Sequence, residues 1–322
     1  MRISVAPGDG IGKEVIPVAR RILELLLPGA EFFDVEVGYD KWKRTGSACT
    51  DDDIRSLKDS DAILFGAVTT PPDPCYSSVL LRIRKELDLY ANLRPVIGDG
   101  FDIMIVRENT EGLYSGIEEI GEERSTTLRV VTRKGSERIA RCACEIAKGR
   151  RNSLVIGNKA NVLKSDVLFR DTCLSVAAEE GVSAKTAYID ALTLDVLMHP
   201  ADYDVIVTTN IFGDILSDAA GYLTGGLGML PSANIGEKYA FFEPVHGSAP
   251  DIAGKGIANP IAAIRSAAML LSHLGRTAEA DAVSNSVELI LAAGIKTPDL
   301  GGNYSTKEVG EAVMKRLSGF YP

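Results

Sequence analysis

Residues Asp204–Asp218 read DVIVTTNIFGDILSD. Asp204 to Thr209 is a short β-branched run, the composition of a strand buried on both faces. Beyond it, Ile211, Phe212, Ile215 and Leu216 surround Asp214 and Asp218, which stand four residues apart. A helix beginning after Asn210 puts both carboxylates on one face, with Cβ atoms about 5–6 Å apart. Like charges so placed cost a helix roughly 0.2–0.5 kcal/mol. A hard divalent cation would reverse that sign, because Mg²⁺ prefers one or two carboxylates with water and substrate oxygens around it. The competing explanation is a solvated acidic edge at a helix N-terminus, where the helix dipole favours negative charge.

Toward the N-terminus the same strand-then-helix pattern recurs. Ile3 to Ala6 is a strand, followed by the turn Pro7–Gly12 (PGDGIG) and a helix over Lys13–Leu27. Its G-x-G-x-G spacing matches neither the dinucleotide fingerprint nor the P-loop, so a tight turn that lets helix and strand pack is the better reading. Ala62 to Gly66 is a second buried strand, and a helix is expected over Tyr76–Leu89. On that helix Leu80, Leu81 and Arg84 can share a face while Arg82 points elsewhere. A guanidinium beside two leucines suits a carboxylate bearing a branched alkyl group; an arginine snorkelling past its own core residues is the alternative.

Further strands are expected over Asp102–Val106, Leu154–Gly157 and Lys185–Ile189, with helices capped by Ser136 and Ser165. Ser115–Arg133 is too polar for a core and reads as a hairpin or arm that pairs with something, such as another subunit. Strand after strand then ends in an ionisable group: Arg107, Lys159, Asp190 and Asp214. Ligands of α/β sheets bind outside the carboxyl ends of the strands. Glu243–Pro260 is a Gly-, Ala- and Pro-rich loop of the kind that carries function. Asn259-Pro260 starts the helix after it, and Ser305 with Glu308 forms a capping box for the last one.

Composition sets outer bounds. A chain of 322 residues is expected to hold two domains, and 45% apolar with 25% charged residues is ordinary for a soluble globular protein. The net charge of −9 argues against nucleic acid or an anionic membrane as the main partner. There is no apolar run of about 18 residues and no signal-peptide pattern. Five cysteines without zinc spacing fit reduced thiols, and a cytoplasmic location is expected.

Six segments together resemble the β-decarboxylating dehydrogenases, the family of isopropylmalate, isocitrate and homoisocitrate dehydrogenases. They are PGDGIG (7–12), LDLYANLRP (87–95), RENTEGLY (107–114), NKANVLK (158–164), NIFGDILSD (210–218) and EPVHGSAPDIAGKGIANP (243–260). The resemblance implies an α/β fold that is not a Rossmann fold, with two interwoven domains around a mixed sheet. One domain would join residues 1–89 to 225–322 and carry most of the NAD site. The other, 90–224, would carry the arm of a homodimer and the metal-site residues.

It also implies roles. Arg84, Arg94 and Arg107 would clamp substrate carboxylates. Asp214 and Asp218, with Asp190 from a partner subunit, would hold Mg²⁺ or Mn²⁺. Lys159, also from the partner, would accept the hydroxyl proton with a pKa depressed by neighbouring cations, and Tyr114 would protonate the enolate left by CO₂ loss. His246, Gly247, Ser248, Asp251 and Asn259 would line the cofactor loop. Members preferring NADP tend to carry Lys-Tyr where this chain has Asp251 and Ile252, so NAD is expected; a carboxylate accepts from ribose hydroxyls and repels a 2′-phosphate. Leu80 and Leu81 match the leucines that face the isopropyl group, which implies (2R,3S)-3-isopropylmalate as substrate and a place in leucine biosynthesis. Ser78 matches the isocitrate pattern, and homoisocitrate, isocitrate or (R)-malate-type substrates are the alternative.

Overall fold

A computed structural model describes residues 1–73 and 75–319. In chain order it forms β1 (Arg2–Gly8), α1 (Gly12–Leu26), β2 (Glu31–Asp34), α2 (Tyr39–Thr45), α3 (Asp51–Lys58), β3 (Ala62–Ala67) and α4 (Val79–Glu86). There follow β4 (Ala91–Gly98), β5 (Phe101–Glu108), β6 (Glu118–Glu119), β7 (Thr126–Thr127), α5 (Arg133–Lys148), β8 (Ser153–Asn158), α6 (Ser165–Glu179), β9 (Ser183–Tyr188), α7 (Ile189–Met198), β10 (Val205–Thr208) and α8 (Asn210–Ala220). The chain closes with β11 (Pro231–Ile235), β12 (Ala240–Pro244), α9 (Ile261–His273), α10 (Thr277–Ala292) and α11 (Thr306–Leu317). Two compact units emerge: residues 1–87, 225–233 and 238–322, and residues 88–224 with 234–237. The short return of 234–237 to the second unit departs from the simple three-segment division expected.

In the first unit β1 lies between β2 and β3, and β12 lies on the far side of β3, all parallel. Phe65 on β3 packs on Phe241 on β12 with ring centroids 4.6 Å apart. Val15, Ile16, Ala19, Ile22 and Leu23 of α1 are wholly buried; burying each of the larger ones contributes about 1.5–3 kcal/mol. The glycine-rich turn is a packing device. Gly10 has φ +54°, and a Cβ there would stand 2.0 Å from Ser248 O. Ile11 N donates to that same carbonyl at 2.9 Å, so the turn carries the later loop directly.

In the second unit the strand order is β4-β5-β10-β8-β9, with β4 antiparallel to β5 and the other four parallel. β10, the VIVT run, is buried throughout between β5 and β8, which is why its residues are β-branched. Small residues on α5 (Ala140, Ala143, Cys144, Ala147) let it share a core with Phe169, Cys173 and Val176 of α6. Because β5, β10, β8 and β9 are parallel neighbours, their carboxyl ends form one edge. Arg107 lies near the end of β5, and Asp214, Lys159 and Asp190 follow β10, β8 and β9.

Several boundaries differ from expectation. α4 starts at Val79 and stops at Glu86, because Asp88 turns left-handed at φ +46° and breaks the run toward Leu89. α5 begins at Arg133, capped by Thr132, whose side chain accepts from Gly135 N; Ser136 lies inside the helix and donates back to Thr132 O. α6 has no side-chain cap, since Ser165 Oγ is engaged by Arg129 Nη1 at 2.8 Å. β9 ends at Tyr188, so Asp190 sits in the first turn of α7. β6 and β7 pair antiparallel as the expected hairpin.

Candidate active site

α8 follows β10 after a single residue, Thr209, and presents Asp214 and Asp218 one turn apart. Two arginines from neighbouring strands reach them. Arg107 on β5, 1% exposed, donates through Nη1 to Asp214 Oδ1 at 2.6 Å and through Nε and Nη2 to Asn210 O and Oδ1 at 2.9 and 2.7 Å. Arg94 on β4 bridges both acids, Nη2 to Asp214 Oδ1 at 3.1 Å and Nη1 to Asp218 Oδ1 at 3.1 Å. Its Nη1 also donates to Ser217 Oγ at 2.6 Å. The repulsion between the helix carboxylates is thus offset by two cations, and the cluster is neutral in sum. Burial raises the Asp218 carboxyl above the usual carboxylate range, opposed by Arg94 and reinforced by Asp214. Tyr114 joins the cluster, its hydroxyl donating to Asp214 Oδ2 at 3.2 Å.

Gly213 makes this arrangement possible. A Cβ there would stand 2.7 Å from Arg107 Cβ and Cγ, so only glycine lets the arginine lie across α8. Asn210, Gly213 and Ser217 all lie inside the NIFGDILSD motif. Their part was missed because no periodicity separates a residue that faces an arginine from one that faces a core.

At the same edge Lys159 Nζ stands 2.6 Å from Asp190 Oδ1, with the Tyr188 ring centroid 5.8 Å away. Within this chain the neighbour of the lysine is therefore an acid. The ion pair holds the Asp190 carboxyl below its usual range. Asp190 does not join Asp214 and Asp218: among the described residues no group of three or more His, Cys, Asp or Glu is arranged to hold a metal. Two half-exposed carboxylates nevertheless suit a hard cation that keeps water and substrate ligands.

In the first unit Arg84 is buried on α4 and pairs with buried Glu243 of β12 at 3.3 Å. Among the described residues its Nε, buried, has no hydrogen-bond partner, a donor left for an acceptor from outside the chain. Leu80 is half-buried and Leu81 37% exposed, so neither is spent on the core. Ser78 is the N-cap of α4, its Oγ accepting from Leu81 N at a long 3.4 Å. Arg82 points away, as expected, to Asp51 and Cys49 O.

The loop after β12 is tied at several points of the same unit. Ser248 Oγ lies 2.7 Å from Thr69 Oγ1. Glu14 accepts from Gly254 N and Gly256 N at 2.5 and 2.9 Å. Asn259 Oδ1 accepts from Ile261 N and its Nδ2 donates to Asp299 Oδ2, both at 3.0 Å. Gly247 and Asp251 are exposed. His246 Nδ1 lies 3.0 Å from Gly247 O, which can only accept, so Nδ1 carries the proton. Burial lowers the pKa of the ring, and a neutral ring then leaves Nε2 as a bare acceptor, buried and with no partner among the described residues. An orphaned acceptor in such a loop fits an N–H donor from a bound cofactor, such as the amino group of an adenine.

Comparison with known proteins places the chain in a family. The isocitrate/isopropylmalate dehydrogenase family model matches residues 2–313. An isocitrate/homoisocitrate dehydrogenase of Thermus thermophilus is 47% identical over 98% of both chains. A 3-isopropylmalate/3-methylmalate dehydrogenase of Methanocaldococcus jannaschii is 46% identical, again over 98% of both. The crystal structure of isocitrate dehydrogenase from Methylococcus capsulatus superposes with a TM-score of 0.94 at 38% identity, covering 98% of this chain and 99% of that one.

Proposed function

The chain belongs to the isocitrate/isopropylmalate dehydrogenase family of oxidative β-decarboxylating dehydrogenases, and on that premise we propose that it converts (2R,3S)-3-isopropylmalate to 4-methyl-2-oxopentanoate and CO₂ with NAD and Mg²⁺ or Mn²⁺. The observation that carries the choice of substrate is Arg84 with an unspent Nε, preceded by two leucines that the core does not claim. A leucine pair offers nothing to a third carboxylate, and an unpaired buried carboxylate costs far more than a lost contact. The capping bond of Ser78 gives that residue a structural task, which weakens its isocitrate-like meaning.

Arg84, Arg94 and Arg107 hold the substrate carboxylates, and Asp214 and Asp218, with Asp190 of a second copy of the chain, would hold Mg²⁺ or Mn²⁺. Bound there, a divalent ion would supply positive charge to the hydroxyl and the enolate, and the nicotinamide would take the hydride. Lys159 of the second copy accepts the hydroxyl proton, and Tyr114 returns one to the enolate carbon. Arg94 and Arg107 spend N–H groups on Asp214 and Asp218, which holds both guanidinium forks beside the acids that would carry the cation. In the cofactor loop His246 Nε2 accepts from the cofactor, Gly247, Ser248 and Asn259 shape its seat, and Asp251 accepts from ribose hydroxyls, favouring NAD.

The enzyme works as a homodimer. Lys159 and Asp190 pair with each other within one chain, and among the described residues no third carboxylate joins Asp214 and Asp218. The described cysteines are all free thiols, in keeping with the reducing cytoplasm. Turnover of isopropylmalate, homoisocitrate and isocitrate should be compared side by side with NAD and Mn²⁺. Isopropylmalate is expected to be fastest, yielding NADH and CO₂ in equal amounts. Faster turnover of homoisocitrate or isocitrate, the substrates in the name of the Thermus relative, would overturn the choice and favour that second reading.

A further inference from the structure

Three amides lie buried together in the second unit, each no more than 1% exposed. Asn234 Oδ1 accepts from Asn92 Nδ2 and from Asn109 Nδ2, both at 2.9 Å. Asn92 Oδ1 accepts from Arg94 Nε at 2.7 Å. Asn109 Nδ2 also donates to Leu89 O at 3.0 Å. A guanidinium only donates, so Asn92 must turn its oxygen to Arg94 and its amino group to Asn234. Asn234 must then turn its oxygen to both of its neighbours. The chain has one consistent direction, set by the charge at its end.

Burying three amides is costly, the more so because Asn109 Oδ1 finds no partner among the described residues, and apolar residues would serve a core better. What the amides gain is control of a side chain. Arg94 is pulled by Asp214 and Asp218 through Nη2 and Nη1. Nε is the atom through which the plane of the fork can be held, and Asn92 Oδ1 accepts from it. We propose that Asn234 is a positioning residue: through Asn92 it sets the plane in which Arg94 presents its Nη fork. It touches no reacting atom. The idea rests on Arg94 binding a substrate carboxylate, as read above.

The test is steady-state kinetics with 3-isopropylmalate, NAD and Mn²⁺, or with homoisocitrate should the wild-type enzyme prefer it. Asn234→Leu is expected to raise KM for the acid about tenfold, leaving kcat within about threefold and KM for NAD unchanged. Asn234→Asp keeps an acceptor in place and should return KM to within about threefold of wild type. In an Arg94→Met background Asn234→Leu should change KM no further, because its effect passes through that arginine. Equal shifts in both backgrounds, a fall in kcat at constant KM, or an Asp variant as impaired as the Leu variant would each reduce Asn234 to a packing residue. An Arg94→Met enzyme with the wild-type KM would instead defeat the role given to Arg94, and this inference with it. Should Asn234→Leu fail to fold, Asn92→Ala breaks the chain at its other link and must give the same split between KM and kcat.

Discussion

Single atoms decide how the α8 cluster is built. With a Cβ at Gly213 standing 2.7 Å from Arg107 Cβ and Cγ, Gly213→Ala must push either the arginine or the helix. The expected outcome is a loss of kcat/KM of at least about 100-fold, of the size that misplaced substrate-positioning groups cause, with about 1–3 kcal/mol lost from overpacking. Kinetics together with thermal unfolding check this, and near-normal activity would show that Arg107 can move without cost. His246 carries a second consequence. Burial depresses its pKa, so the folded chain binds that proton less tightly than the unfolded chain does. The linked stability is whole above the ordinary histidine pKa of about 6.5 and is lost as pH falls below it toward the depressed value. His273, exposed but partly desolvated at the end of α9, has its pKa lowered as well and acts with the same sign. His246→Gln should therefore flatten the decline of Tm on the acid side of about pH 6.5; an unchanged slope would assign the decline to other groups. Arg107 and Asp214 were legible as charges at strand ends. That Asp214 would be gripped by both arginines was not, because pairing across strands depends on register.

Elements explain where sequence reading was reliable. β10 and α8 were readable because a β-branched run and a helix with paired acids carry opposite periodicities. Caps were harder: Thr132 displaced Ser136, and Ser165 was claimed by Arg129, since any nearby Ser or Thr can cap and long-range bonds choose between them. The β6–β7 hairpin leaves Ile117, Ile120 and Leu128 exposed, and α7 and α8 leave Leu194, Met198 and Ile215 exposed. Apolar side chains in such number on one unit call for a cover, and a second copy of the chain is the proposed one. Ile120→Asp combined with Leu128→Asp should shift sedimentation from dimer to monomer and abolish turnover, as Lys159 and Asp190 would then have no partner site to complete. A fully active monomer would refute the shared site.

For the molecule as a whole, ligand binding must appear as stability. A ligand that binds only the folded chain stabilises it by about 2.7 kcal/mol at a hundredfold excess over its Kd. Mn²⁺ with the hydroxy acid should therefore raise Tm by several degrees. Asp214→Asn should abolish that rise while leaving the ligand-free Tm close to wild type or below it, since Arg94 and Arg107 lose an anion. An undiminished rise in the variant would remove Asp214 from the metal site. No helix of the described residues is long and apolar enough to cross a membrane, and the family and its mixed, parallel-rich architecture were already legible from motif order. Local periodicity and motif spacing are properties of neighbours in the chain, so the sequence by itself determined the family, the identity of the charged residues and the types of the strongly patterned elements such as α1, β10 and α8, while β2, β4 and α7 carried no pattern that was read. Which charge meets which was decided by the tertiary structure alone: Arg94 with Asp218, Lys159 with Asp190, and Asn234 with Asn92. These contacts span up to 142 residues, and only strand order and register bring such distant groups within a hydrogen bond of each other.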